Sequence, residues 1–237
     1  MKTSPGARSW IAAGVRHELL TRALPALRHD MAAPVSVMRM GLLMLRRQVA
    51  SKTIDPAACE ERVALIDNQI GELIGAVRSL RDWELATDDD GITRSVLVAQ
   101  CMNLMRAAFD LHGVRLHVDE ALDKAPAGVP EAEAASTEAR RPSGAALRYL
   151  LLGALGYLHD TVANVGAIAI TADGDDALLI SATATAGGAE TRHPIAGAHR
   201  APRALAIDAI ALQSLAEDMG YVIAIERDAV RLPLAIG

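Results

Sequence analysis

Aromatic side chains are scarce in this 237-residue chain: one phenylalanine, three tyrosines and two tryptophans, 3% of the sequence. With so few stacking side chains and a net charge of −5, the composition argues against nucleic acid, single-stranded or duplex, as the main partner. Cysteine is equally sparse. Cys59 and Cys101 fit no metal-ligand spacing and read as reduced cytosolic thiols. The first fourteen residues hold no apolar run of signal-peptide length, and the longest strongly apolar stretch, 149–158, is too short to cross a bilayer. These absences predict a cytoplasmic protein with no membrane segment, so that any membrane sensor is a separate chain. What is plentiful is aliphatic. Apolar residues make up 51% of the chain, with alanine and leucine prominent, enough for one large core or two small ones.

That apolar content is patterned. Residues 1–8 read as a polar start and 9–22 as a short helix ending before Pro25, which opens the next helix to about residue 49. Its apolar positions, Leu27, Met31, Pro34, Met38, Leu42, Leu45 and Val49, are spaced 4, 3, 4, 4, 3, 4. Asp55-Pro56 supplies an N-cap and a first helical residue for a second helix. There Cys59, Val63, Ile66, Ile70, Leu73, Val77 and Leu80 form a heptad seam, in a helix predicted to end near residue 85. Such a hairpin cannot enclose its own apolar face, whereas two copies related by a two-fold axis make a four-helix bundle, so a homodimer is expected. After the acidic run Asp88-Asp89-Asp90, read as a solvated hinge, the texture changes. A helix over 95–111, a strand over 114–118, a solvated connection over 119–142 and an apolar helix over 145–161 are predicted. Strands over 167–172 and 177–184, a helix over 203–219 capped by Gly220, and a hairpin over 221–234 complete an α/β sandwich with a mostly antiparallel sheet.

One short segment carries chemistry: Leu27-Arg28-His29-Asp30-Met31-Ala32-Ala33-Pro34. Histidine alone has an unperturbed pKa that leaves it largely neutral and nucleophilic near neutral pH. His29 lies two residues from Leu27, about 200° around the helix from the seam, so its ring is expected to face solvent. This segment resembles the H-box of sensor histidine kinases: histidine, an acid, three residues, then proline. The order of parts also resembles that family, a helical dimerisation and histidine phosphotransfer (DHp) hairpin followed by a nucleotide-binding sandwich. The division expected is a segment 1–22, a DHp-like hairpin 23–88 and an ATPase-like region 91–237. The fold class implied is α+β, a dimeric four-helix bundle followed by a degenerate Bergerat (GHKL ATPase-like) sandwich.

The nucleotide half departs from the kinase pattern at each box. Gly153 and Tyr157 stand where the metal-holding asparagines belong. The segment Ala182-Thr183-Ala184-Thr185-Ala186-Gly187-Gly188 has no carboxylate for adenine, and its glycine pair reads as a plain turn. Arg200-Ala201-Pro202-Arg203-Ala204-Leu205 replaces the glycine-rich phosphate loop. A kinase-shaped chain that keeps the histidine and loses ATP resembles the ChpT-like histidine phosphotransferases, with Ser36, Gly41, Leu42 and Leu45 continuing the likeness. What the resemblance implies is a relay between receiver domains, from a hybrid histidine kinase to response regulators. In it, His29 Nε2 attacks an aspartyl phosphate while Asp30 holds the other ring nitrogen's proton. Arg28 would add nearby positive charge. Ala32, Ala33, Pro34, Ser36, Val37 and Met40, with the start of the second helix, would dock the receiver. No cofactor and no metal site are expected, because Mg²⁺ comes with the receiver. Ala33 stands where bifunctional kinases carry Thr or Asn, so strong phosphatase activity is not expected. A regulator that binds without transfer, and a divergent kinase, stay open as alternatives.

Other candidates read more plainly. His17-Glu18 has Arg22 in place of the proline and reads as helix surface; His159-Asp160 reads as a capping or solvated pair. His193 and His199 lack companion ligands, so zinc is not expected. Met31, Met38, Met40 and Met44 read as bundle core and docking surface.

Overall fold

The computed structural model describes residues 4–80, 91–123, 141, 143–185 and 205–235. The acidic run 88–90, most of the connection 119–142, the glycine pair 187–188, His193, His199 and residues 200–204 of the degenerate phosphate loop lie outside the described residues.

The chain opens with a single helix, α1 (Pro5–Val49), where the sequence predicts two separated at Pro25. Both Pro25 and Pro34 are inside it. Proline in a helix interior removes one i→i−4 hydrogen bond and costs about 3 kcal/mol, and here packing on the N-terminal side offsets that cost. Ala12, Val15, Leu19 and Ala23 recur at helical spacing and are all buried. The side chain of Arg22 is anchored as well, so the turn before Pro25 is held from outside the helix. Residues to Ala23 accordingly belong to the same compact unit as 88–237, while Leu24–Thr87 form the other.

The smaller unit is the hairpin of α1 with α2 (Pro56–Ser79). Asp55 caps α2, accepting from the N–H groups of Ala57 and Ala58 at 3.0 and 3.3 Å. The helices approach closely at Gly41, where an added Cβ would lie 3.1 Å from Ile66 Cγ1. Leu27 and Pro34 are buried, and Met31, Met38, Cys59, Ile66 and Leu73 are half-buried. The rest of the expected seam, Leu42, Val49, Val63, Ile70, Val77 and Leu80, is exposed in the single chain. One neighbouring helix covers one strip of a heptad pattern; the second strip faces outward.

The larger unit is a two-layer α/β sandwich. Its elements are α3 (Arg94–Leu111), β1 (Arg115–Val118), α4 (Glu120–Asp123), α5 (Gly144–Thr161), β2 (Val165–Asp173), β3 (Ala177–Ala184), α6 (Ala209–Asp218), β4 (Ala224–Ile225) and β5 (Ala229–Pro233), together with the first turns of α1. The sheet order is β1-β2-β3-β5-β4, with β1–β2 parallel and the other pairs antiparallel. Alternate residues Ile168, Ile170, Leu178, Ile180, Val230 and Leu232 face the helical layer and are buried. Helix α6 starts six residues later than predicted, because Asp208 caps it by accepting from Ala211 N–H at 2.8 Å. Gly220 follows with φ +77°, the left-handed value a C′ glycine supplies. Among the described residues no helix is long and apolar enough to cross a membrane.

Candidate functional site

His29 and Asp30 share an outward-facing turn of α1 between buried Leu27 and buried Pro34. The helical period that buries those two turns the intervening pair outward: the side chains of His29 and Asp30 are 80% and 62% exposed. Nδ1 of His29 lies 3.4 Å from Oδ1 of Asp30, a long contact that orients the ring without clamping it. With Nδ1–H donated to the carboxylate, Nε2 keeps its lone pair and faces outward. Pro34 removes the N–H that would otherwise bond the Asp30 carbonyl, loosening the ladder under the pair.

A groove of about 590 Å³ runs beside them. From α1 it is lined by Leu27, His29, Asp30, Ala33, Pro34 and Val37; from α2 by Gln69, Glu72, Gly75 and Ala76. Of the residues expected to dock a partner, Ala33 and Val37 therefore join His29, whereas Pro34 is buried as the groove floor. Ser36 and Met40 line a separate groove of about 380 Å³ with Arg62 and Leu65, and Val37 borders both. The Ser36 hydroxyl donates to the Ala32 carbonyl, and neither Ala32 nor Arg28 lines either groove. The expectation that the start of α2 faces the histidine is corrected: its second half does. An antiparallel hairpin pairs positions equally far from the turn at 50–55, so a residue near the open end meets the far end of α2. Counting outward from Asp55 would have found Gln69 and Glu72 in the sequence.

In the larger unit the former nucleotide positions are occupied by packing. A Cβ at Gly153 would lie 3.0 Å from Leu212 and 3.1 Å from Leu215, so this side of α5 is closed by α6. Tyr157 donates its hydroxyl to the Glu226 carbonyl at 2.9 Å. From Gly144 to His159 every residue of α5 is buried, and Leu19 of α1 also reaches Gly153.

Two pairs set aside as surface features form a buried network instead. Arg22 donates to Asp160 at 3.2 and 2.8 Å, to Glu18 at 2.9 Å and to the Leu205 carbonyl at 2.8 Å. Asp160 also accepts from Ile207 N–H and pairs with His159 Nδ1, both at 2.9 Å. His159 stacks on Phe109 and meets His112 Nδ1 at 3.1 Å. Burial pushes the Asp160 carboxyl up, but the hydrogen bonds from His159, Arg22 and Ile207, with the Arg22 charge, outweigh it and hold it at about 2. Arg22 fills the place a proline would take after His17-Glu18 because it is a structural cation. Cys101 is fully buried, and desolvation pushes its thiol up to about 12. Among the described residues no group of three or more His, Cys, Asp or Glu side chains is arranged to hold a metal ion.

No family model and no curated protein matches the chain. Among solved structures it is similar to the histidine kinase AdeS of Acinetobacter baumannii, at a TM-score of 0.36 and 11% identity, over 88% of this chain and 98% of that one.

Proposed function

We propose that this chain is a cytoplasmic, dimeric histidine phosphotransferase that carries a phosphoryl group between receiver domains on His29 and does not use ATP. The observation that carries the reading is the outward imidazole: 80% exposed, its Nδ1 beside a carboxylate at 3.4 Å, its other nitrogen open beside a two-helix groove. Transfer proceeds by in-line attack of Nε2 on an aspartyl phosphate of the donor domain; the N–P bond forms as the acyl phosphate P–O bond breaks and returns a carboxylate. Asp30 holds the Nδ1 proton and stabilises the positive charge that develops on the ring. The acceptor domain then reverses the step with its own aspartate. Magnesium and the lysine that neutralise the moving group belong to the receiver, and Ala33 offers no side chain to orient a hydrolytic water.

Two features support the remainder. The exposed strip Leu42, Val49, Val63, Ile70 and Val77 matches what a second hairpin would cover, giving a four-helix bundle from residues 23–88 of two copies. In the region 91–237, Gly153 and Tyr157 spend their positions on internal packing, so no oxygen ligand for a triphosphate-bound metal stands there.

The test is incubation with a panel of receiver domains carrying labelled aspartyl phosphate. Acid-labile label should appear on the chain, vanish in His29→Ala, and pass to a second receiver. Binding without label would favour a regulator that needs no imidazole. Label on His29 from ATP alone would make the protein a kinase and refute the proposal.

A further inference from the structure

The charged lining of the His29 groove consists of His29, Asp30 and Glu72; no lysine or arginine among the described residues lines it. Glu72 stands on α2, across the groove from the histidine, and is exposed. It makes no ion pair among the described residues, and the only partner of Asp30 is the adjacent ring. A phosphoryl group approaching Nε2 therefore meets a carboxylate on each wall and no fixed cation. Phosphoryl transfer needs the reverse, positive charge at the moving oxygens.

Resting on the reading of His29 as phosphoacceptor, we infer that Glu72 is a specificity-determining residue: it makes the groove reject free phosphoanions, so that phosphoryl reaches His29 only from a protein that brings its own cation. Asp30 cannot supply this discrimination alone, because it also orients the ring and its removal would weaken the nucleophile. Glu72 is free of that duty. The apolar remainder of the groove, Leu27, Ala33, Pro34 and Val37, gives a protein partner area to bury, which a small anion cannot exploit. Selectivity thus comes from repulsion of the wrong donor as much as attraction of the right one.

Phosphoramidate is the probe, since it phosphorylates an accessible imidazole without any protein partner. The Nε2 lone pair forms the N–P bond while the phosphoramidate P–N bond breaks, and ammonia leaves with that bonding pair. The rate of phosphohistidine formation on full-length protein is followed by intact mass and ³¹P NMR. At low ionic strength Glu72→Gln should react about two- to fivefold faster than wild type, the effect of one unit charge on a dianion over about a Debye length. Glu72→Lys should gain about tenfold. Both gains should shrink at about 0.5 M salt, where screening is nearly complete. Glu61→Gln, exposed on α2 but outside the groove, should match wild type. Equal rates for wild type and both Glu72 variants would overturn the inference while leaving His29 an acceptor. So would a Glu61→Gln gain as large as that of Glu72→Gln, which would make the effect one of general surface charge. Failure of every variant to label His29 would overturn the phosphoacceptor reading itself.

Discussion

Truncating Arg22 to alanine removes hydrogen bonds to Asp160, Glu18 and the Leu205 carbonyl and strands the Asp160 carboxylate with His159 and the Ile207 N–H. The side chains of Arg22 and Asp160 are 17% and 11% exposed. Breaking a buried ion pair from one side costs about 3–5 kcal/mol, and the residual solvent contact places this case near about 3. Asp160→Asn keeps the shape and loses the charge, at about 1–2 kcal/mol, and a double-mutant cycle with Arg22→Ala should return a coupling of about 1–2 kcal/mol. The pH arm has a definite sign. The Asp160 pKa is lowered from 3.8 to about 2 in the folded chain. Its contribution is therefore present above pH 4 and is lost as pH falls through about 2, worth about 1–2 kcal/mol after allowance for screening. The wild type should exceed Asp160→Asn in stability at neutral pH and converge on it in acid. Urea unfolding by far-ultraviolet circular dichroism, at one fixed protein concentration, measures all of this. An Arg22→Ala loss below about 0.5 kcal/mol, or additive single and double variants, would show that the network is not coupled.

Restoring the kinase-type asparagine with Gly153→Asn should destabilise the larger unit rather than create a nucleotide site. Its Cβ would press on Leu212 and Leu215 at 3.0 and 3.1 Å, an overpacking worth about 1–3 kcal/mol, read as a lowered midpoint without ATP-dependent protection. Ile70→Lys with Val77→Lys should convert a dimer to a folded monomer in sedimentation analysis, because both side chains are already exposed in the single chain. Iodoacetamide at pH 8 should alkylate half-buried Cys59 in the native protein and leave Cys101, whose buried thiol titrates near 12, unmodified until unfolding.

The sequence was legible where local chemistry decided the outcome and opaque where distant packing did. Asp55-Pro56, the apolar periods and Gly220 each act within one turn of chain, and the structure agrees at all three. Pro25 misled because the energy that keeps α1 straight through it comes from residues of the α/β unit over a hundred positions away. The same distance hid the buried network. His17-Glu18 and His159-Asp160 look alike as dipeptides, and nothing local says that Arg22 joins them. At the candidate site, the helical period foretold the outward ring of His29, since two neighbours on the wheel suffice. It did not reveal which part of α2 lies opposite, which depends on the antiparallel sense of the hairpin.

That opposite wall bears on the direction of transfer. A site that stabilised a phosphoryl transition state by itself, with cations fixed in the groove, would also bind the phosphorylated imidazole product tightly and slow its release to the next domain. His29 has one loose carboxylate contact and a second carboxylate across the groove. On the proposed function, donor and acceptor domains each bring the same neutralising charge and remove it on leaving, so the phosphohistidine is held by neither. Glu72→Lys should then slow onward transfer from labelled His29 to an acceptor receiver even as it speeds labelling by phosphoramidate. Single-turnover transfer from the pre-labelled protein measures this directly, and an onward rate equal to or above that of wild type would refute the argument that an acidic groove serves release.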